Sequence, residues 1–310
     1  MEYPVITVTL NPALDVTVWA DDVDFEEPVK AKSETVYAGG KAINVSRVLT
    51  SLGVANKSVG IACENNFLTL RQLLEADGVD YAFVNPPGSI RENLTLCLGD
   101  GRVLKVNRRG EDVPPTVYRE VKALIEQFLS PDSIVAFSGG MPPNCTGEIY
   151  ADLVLGFCRA GRRIALDNDI FSLETVRKIH PLVYKPNLLE FKKLVGCKNL
   201  TRRELVAKVR EAADCCDNLL LSMGEDGALF CSEGELYHLT VPQVEVKSTI
   251  GAGDTTLASF LASYLEGRDP VDCARCAVAG GTASVALDGT AAITREQLEE
   301  IRCKITAEKI

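Results

Sequence analysis

Short apolar, β-rich runs alternate with amphipathic stretches along most of the chain. Val5-Ile-Thr-Val-Thr-Leu10 reads as a buried strand, and residues 43–52 read as a helix with Val45, Val48, Leu49 and Leu52 at helical spacing. The same rhythm predicts strand over 57–61 and helix over 67–76. It continues as helix 117–129, strand 133–137, helix 148–159 and strand 163–166, with two more short strands at 182–184 and 218–221. The last third reads mainly as helices over 255–266, 271–287 and 295–305. Strands alternating with helices of this length imply a parallel sheet covered on both faces.

Two segments break the rhythm. Residues 14–37 contain Asp15-Val-Thr-Val-Trp19 and Lys32-Ser-Glu-Thr-Val-Tyr37, both alternating as strands do. Asn93-Leu-Thr-Leu-Cys97, Leu98-Gly-Asp-Gly101 and Arg102-Val-Leu-Lys-Val106 read as a hairpin around an Asp-Gly turn. Together these runs predict a small antiparallel sheet standing off the main body; the alternative is a set of edge strands of the main sheet.

At 310 residues the chain can bury one large core, and 46% hydrophobic with 25% charged residues is ordinary for a soluble globular protein. The net charge of −10, with no basic run, speaks against nucleic acid or an anionic membrane as partner. It leaves a phosphorylated small molecule open, because a few local cations and N–H groups can outweigh the global sign. No basic region followed by an apolar run opens the chain, and no apolar stretch reaches the ~20 residues that span a bilayer, so neither signal peptide nor membrane span is expected. The eleven cysteines, an odd number, then read as reduced thiols of a cytoplasmic protein, by default small buried apolar residues. Cys273 and Cys276 lack a second pair at zinc spacing, and no structural zinc is expected.

The chemistry concentrates in Thr249-Ile-Gly-Ala-Gly-Asp-Thr-Thr256. A Gly251-Ala252-Gly253 turn that opens a helix points N–H groups outward with the positive end of the helix dipole behind them, an anion site. A carboxylate at Asp254 beside that site suits a base that deprotonates a hydroxyl about to receive a phosphoryl group. The plainer alternative is a tight turn with Asp254 as a stabilising acid in the first helical turn.

Ile250-Gly251-Ala252-Gly253-Asp254 resembles the C-terminal signature of the ribokinase-like, or PfkB, family of sugar kinases. Gly39-Gly40-Lys41-Ala42-Ile43-Asn44-Val45-Ser46 is similar to the family's N-terminal signature. Between them lie Ser138-Gly139-Gly140-Met141-Pro142-Pro143, Lys185-Pro186-Asn187 with Glu190, and Ser222-Met223-Gly224-Glu225-Asp226-Gly227-Ala228, all in the family's order. Asn11-Pro12-Ala13-Leu14-Asp15 precedes them, so the resemblance spans nearly the whole chain.

The resemblance implies a ribokinase-like α/β three-layer sandwich over residues 1–310, one domain with a β lid from about 14–37 and 89–107. It assigns Asp15, Gly39, Gly40, Lys41, Asn44 and Ser138 to sugar binding. The residues themselves support that only partly: Asp and Asn accept and donate toward hydroxyls, and glycine lets a ligand near the backbone, but a turn acid and a helix-capping pair explain them too. No Gly-x4-Gly-Lys-Ser/Thr run occurs, so nucleotide is held without a P-loop. The resemblance places ATP near Ser222, Gly224 and Gly227, with Lys185 and Asn187 toward the phosphates and Gly281 on the adenine side. Asn187 and Glu190 share a helical face and are hard oxygen ligands suited to orienting waters on Mg²⁺; a capping box is the alternative, and both readings can hold.

Lys30, Arg91, Asn93 and Lys105 lie in or beside the lid segments. Ile90-Arg-Glu-Asn93 resembles the Thr-Arg-x-Asn segment of the family's phosphofructokinase and tagatose-phosphate kinase branch, which implies phosphate recognition at Arg91. The alternative is an edge strand kept soluble by charge. Departures occur at Ile90 for Thr, Thr95 for lysine, Ala42 for glycine and at Asn107-Arg-Arg-Gly110. The branch implies ATP- and Mg²⁺-dependent phosphorylation of a ketohexose phosphate, first fructose 1-phosphate to the 1,6-bisphosphate, with tagatose 6-phosphate or fructose 6-phosphate next. It also implies a homodimer through the lid. A kinase of an unphosphorylated sugar or nucleoside, or a non-catalytic sensor on the same fold, stays open.

Overall fold

The computed structural model describes residues 2–24 and 26–310. Residue 25, inside the predicted segment 14–37, lies outside the described residues. The strands of the large sheet are β1 (Tyr3–Thr9), β4 (Asn56–Ile61), β5 (Tyr81–Val84), β8 (Leu129–Ser138), β9 (Arg163–Asp167), β10 (Val183–Tyr184), β11 (Asn218–Ser222), β12 (Ala228–Ser232), β13 (Glu235–Leu239) and β14 (Ala307–Lys309). Their order across the sheet is β14-β13-β12-β11-β10-β9-β8-β1-β4-β5. All pairings from β11 to β5 are parallel, and the three on the other side are antiparallel. The sequence-based reading missed β5 and all three antiparallel strands, since three to five residues carry too little periodicity to stand out.

Successive residues of one strand serve opposite layers, as the two-residue period requires. In β8, Val135 and Phe137 join one core and Ile134 and Ala136 the other; β11 splits the same way, Leu219 and Leu221 against Leu220. The first core is closed by α3 (Thr116–Glu126), α4 (Gly147–Arg159), α5 (Leu173–Ile179), α6 (Leu188–Leu194) and α7 (Arg202–Ala212). The second is closed by α1 (Lys41–Ser51), α8 (Ala252–Leu265), α9 (Pro270–Ser284) and α10 (Arg295–Arg302). This is the ribokinase-like three-layer α/β sandwich. Helix α2 (Phe67–Ala76) closes a third, smaller cluster through Leu70 and Leu74.

A separate four-stranded sheet runs β3 (Ser33–Gly39), β2 (Ala13–Ala20), β6 (Arg91–Leu98), β7 (Val103–Val106). It is mixed rather than antiparallel as predicted, because β2 and β6 pair in parallel. The reason is connectivity: β2 reaches β6 only after α1, β4, α2 and β5, a crossover long enough for parallel pairing. The Asp100-Gly101 hairpin forms, with Gly101 at φ +87.

Two glycines let α9 pack against α8 in the second core. A Cβ on Gly280 would stand 2.0 Å from Ser259 Oγ, and one on Gly281 would stand 2.3 Å from Thr256 Oγ1. Helix α9 can therefore lie against α8, whose first turn carries Asp254, only while both positions are bare. Gly280→Ala is expected to destabilise the fold by ~1–3 kcal/mol through overpacking, read as a lowered midpoint in urea; an unchanged midpoint would show that the two helices separate without cost.

Candidate active site

The carboxyl ends of the parallel strands open into a cleft of about 1240 Å³, where open α/β sheets present their ligands. The chain reaches it from β9 at Asp167, from Lys185 just past β10, from Ser222 at the end of β11, and from the starts of α1, α6 and α8. The second sheet closes one side with Asp15 on β2 and Asn93 on β6, which sit opposite each other in the parallel register.

Helix α8 begins as the octet predicted. Gly251 is left-handed at φ +78, a conformation that favours glycine. The first backbone bond into the helix runs from Thr255 N–H to Gly251 C=O at 2.8 Å, which leaves the N–H groups of Ala252, Gly253 and Asp254 ahead of it. A Cβ on Gly253 would lie 3.2 Å from Lys185 Nζ, a tight contact that the ammonium would have to yield to.

Asp254 is 5% exposed and accepts a hydrogen bond from Asn44 Nδ2 at 2.8 Å on Oδ2. Burial pushes its pKa up to about 7, and the negative charge of Asp167 adds to the rise; the Asn44 bond, Lys41 and Lys185 work against it. Asn44 Oδ1 is buried without a protein partner, an acceptor left for a ligand hydroxyl, since buried polar atoms are otherwise satisfied. The Asp254 carboxyl therefore keeps its proton to near-neutral pH.

A charged cluster lies alongside. Lys41 Nζ stands 3.4 Å from Glu190 Oε1 and 3.5 Å from Asp167 Oδ1, and Lys185 Nζ stands 3.4 Å from the same Asp167 oxygen. Burial pulls Lys41 down, but Asp167, Glu190 and Asp254 outweigh it and hold the ammonium above the usual lysine range. Burial pushes Asp167 up, but Lys185 and Lys41 outweigh it and keep the carboxyl below the usual range. The motif reading did not name Asp167; an acid ending a short apolar strand, Ile164-Ala-Leu-Asp167, was the available signal.

Most predicted site residues line this one cleft. Of the residues expected to bind sugar, Asp15, Gly40, Lys41, Asn44, Arg91 and Asn93 line it; of those expected near nucleotide or Mg²⁺, Lys185, Asn187, Glu190, Ser222, Gly224, Gly227 and Gly281 do. Asn187 and Glu190 form the capping box of α6, Asn187 Oδ1 accepting from Glu190 N–H and Glu190 Oε2 accepting from Asn187 N–H, both at 2.9 Å. Glu190 Oε1 still faces the cleft through Lys41, so cap and site coexist. A Cβ on Gly227 would stand 1.9 Å from Leu239 O, so its bareness serves the chain's own turn.

Four residues stand elsewhere than expected. Gly39 is bare for Asp15 rather than for a ligand: a Cβ there would meet the Asp15 carboxylate at 2.4 Å. Ser138 is 2% exposed and donates to Asp167 Oδ2 at 3.4 Å, supporting the acid instead of lining the cleft. Lys30, in the exposed connection from β2 to β3, and Lys105, exposed on β7 opposite Thr95, do not line the cleft, because both lie toward the outer part of the second sheet. Arg91 does line it, yet its guanidinium donates to three main-chain carbonyls, Pro12 at 3.3 Å, Arg108 at 3.0 Å and Asn11 at 3.2 Å. Asn93 Nδ2 donates to Asp15 Oδ1 at 2.8 Å while its Oδ1 accepts from Arg108 N–H at 3.2 Å. These bonds fix Asp15 and the segment after β7 against each other.

The turn at Gly251–Gly253, the buried Asp254 carboxyl and the Asp15–Asn93 pair thus face one cleft at the strand ends. The chain belongs to the pfkB family of carbohydrate kinases, whose model matches residues 8–297; it is a phosphotransferase with an alcohol group as acceptor, and kinases of this family use ATP. The 1-phosphofructokinase of Bacillus subtilis (strain 168) is 28% identical over 304 residues, 96% of this chain and 98% of that protein. The tagatose-6-phosphate kinase of Staphylococcus epidermidis is 25% identical over 304 residues, covering 96% and 97%. Phosphofructokinase-2 of Escherichia coli, solved in complex with substrates and products, shares the fold with a TM-score of 0.88 at 23% identity over 97% of this chain and 98% of that one.

The raised proton affinity of Asp254 has a sign for stability. The folded state holds this proton more tightly than the unfolded chain does, so ionisation costs stability as pH rises from the ordinary aspartate range through about 7. Asp254→Asn is therefore expected to be more stable than the native protein at alkaline pH, by an amount on the order of a few kcal/mol, with the difference vanishing in acid. Thermal midpoints of both proteins across pH check this, and a variant less stable at every pH would refute it.

Proposed function

We propose that this protein phosphorylates a ketohexose phosphate with ATP and Mg²⁺, fructose 1-phosphate to fructose 1,6-bisphosphate before all others. The observation that carries the reading is Asp254: buried, held by Asn44, and tuned to neutral pH at the mouth of an anion turn. The relatives named 1-phosphofructokinase and tagatose-6-phosphate kinase span nearly the full chain, which favours a phosphorylated ketose over a free sugar or nucleoside. A sensor has no need of such a base.

In this reading Asp15, with Asn93 behind it, and Asn44 Oδ1 take the sugar hydroxyls. Asp254 accepts the proton of the attacking hydroxyl. The N–H groups of Ala252, Gly253 and Asp254, with Lys185 beside Gly253, face the oxygens of the transferring phosphoryl group. The nucleotide lies along Ser222, Gly224 and Gly227, and apolar Val241, Val246, Val278 and Val285 wall its base.

Among the described residues no cluster of three or more His, Cys, Asp and Glu could enclose a metal ion. Mg²⁺ keeps several waters and takes few protein carboxylates when it accompanies phosphates, so Glu190 and Asn187 at the cleft edge fit it through water. When bound it neutralises phosphate charge. The second sheet is proposed as lid and as dimer surface, because Trp19, Tyr37, Val103, Leu104 and Val106 leave it exposed and apolar. No helix among the described residues is long and apolar enough to cross a membrane, and a cytoplasmic location is proposed.

An ADP-release screen over ketoses and their 1- and 6-phosphates tests the substrate; binding of a sugar phosphate with no ADP release from any substrate would favour the sensor. Asp254→Asn is expected to lower kcat by about 10²–10⁴-fold with sugar and ATP affinities within a few-fold of native. The native kcat/KM is expected to rise with pH through about 7 as Asp254 loses its proton. A variant turning over near the native rate would reduce Asp254 to a helix-capping acid. Arg91→Ala is expected to raise KM for the sugar phosphate roughly tenfold to a hundredfold, far more than KM for ATP. A lowered melting point with no selective KM change would confine Arg91 to tying the three carbonyls.

A further inference from the structure

Asp167 ends β9 with 1% exposure. Its Oδ1 is shared by two ammonium groups, Lys185 at 3.4 Å and Lys41 at 3.5 Å, and its Oδ2 accepts from Ser138 at 3.4 Å. The two cations come from different elements. Lys41 is the first residue of α1, one turn ahead of Asn44, and Lys185 follows β10 with its Nζ against Gly253. Two like charges converge on one oxygen only because that oxygen is negative and shielded from water, where Coulomb attraction is strong.

We propose that Asp167 is the positioning residue of this kinase: it draws Lys41 and Lys185 to the Gly251–Asp254 turn and offsets their charge there, so that Asp254 stays a base strong enough to take the hydroxyl proton. The proposal rests on the reading of Asp254 as base. Without Asp167, the two ammonium groups would confront Asp254 uncompensated. Their attraction would hold Asp254 as an ionised, weakly basic carboxylate. Lys41 would keep Glu190 as partner, while Lys185, 2% exposed, would lose its salt bridge to Asp167, a costly change that shifts the side chain from its place.

Asn44 and Lys41 face Asp254 from α1, Asp167 from β9 and Lys185 from the turn after β10; Glu190 of α6 acts through Lys41, and the neighbouring wall of α9 at Gly281 and Thr282 is uncharged. Asp167 is the one negative charge of this set that raises the proton affinity of Asp254.

The test compares kcat/KM for the sugar phosphate across pH in native protein, Asp167→Asn and Asp254→Asn. Asp167→Asn is near-isosteric and can keep an acceptor for Ser138 while losing the charge. Its acid limb is expected to move down by about one pH unit or more, with KM for ATP raised about tenfold as Lys185 loses its place. A folded Asp167→Asn whose acid limb stays at the native position overturns the proposal. Near-native turnover by Asp254→Asn instead removes the base reading, so the two failures are told apart. If Asp167→Asn does not fold, Asp167→Asn combined with Lys185→Met, which removes opposite buried charges together, carries the same readout. Its limb is expected to fall by less, and an unmoved limb again overturns the proposal.

Discussion

A parallel sheet buried on both faces can accept charge at one place, the ends of its strands. Between the strand ends, the apolar side chains of β1, β8, β9 and β11 fill one core or the other, and an unpaired charge among them would cost several kcal/mol. The strand ends escape that commitment. Asp167 and Lys185 stand there with Ser222, and α1, α6 and α8 start there, each bringing unsatisfied N–H groups. The cleft is the consequence: polar groups that the sandwich cannot hold gather along one edge and compensate one another.

That compensation is incomplete at two atoms, and the chemistry follows from them. Asn44 gives its amide N–H to Asp254 and keeps a buried oxygen without partner. Asp254 is desolvated with a neighbouring acid, so its ionised form is less favoured than in water. Both features would be defects in a protein that only had to fold. Under the proposed mechanism they are readiness to bind a hydroxyl and to take its proton.

The second sheet shows how far sequence reading carried. Its four strands were legible from alternation and from the Asp100-Gly101 turn; Asp15 was legible as a hydroxyl-binding type and Asn93 through the resemblance of Ile90–Asn93 to the family's segment. Its parallel centre was not legible, because the pairing of β2 with β6 depends on elements inserted between them. The roles of Gly39 and Arg91 were not legible either. The Asp15 carboxylate packed against Gly39 and the three carbonyls held by Arg91 come from other parts of the chain and leave no mark in the local sequence.

The sequence by itself determined what local rules govern. The helical period placed α1, α2, α4 and α9 nearly where they stand, and the Gly-Ala-Gly-Asp order placed the anion turn and its acid, because turn conformation and helix start depend on adjacent residues. The capping box at Asn187 and Glu190 was determined in the same way. Tertiary structure alone decided which distant groups share a charge. Asp167 meets Lys41 across 126 positions, and Asn44 meets Asp254 across 210. Neither pair leaves a periodic trace, since Coulomb interaction and burial depend on distance in space and not on spacing along the chain.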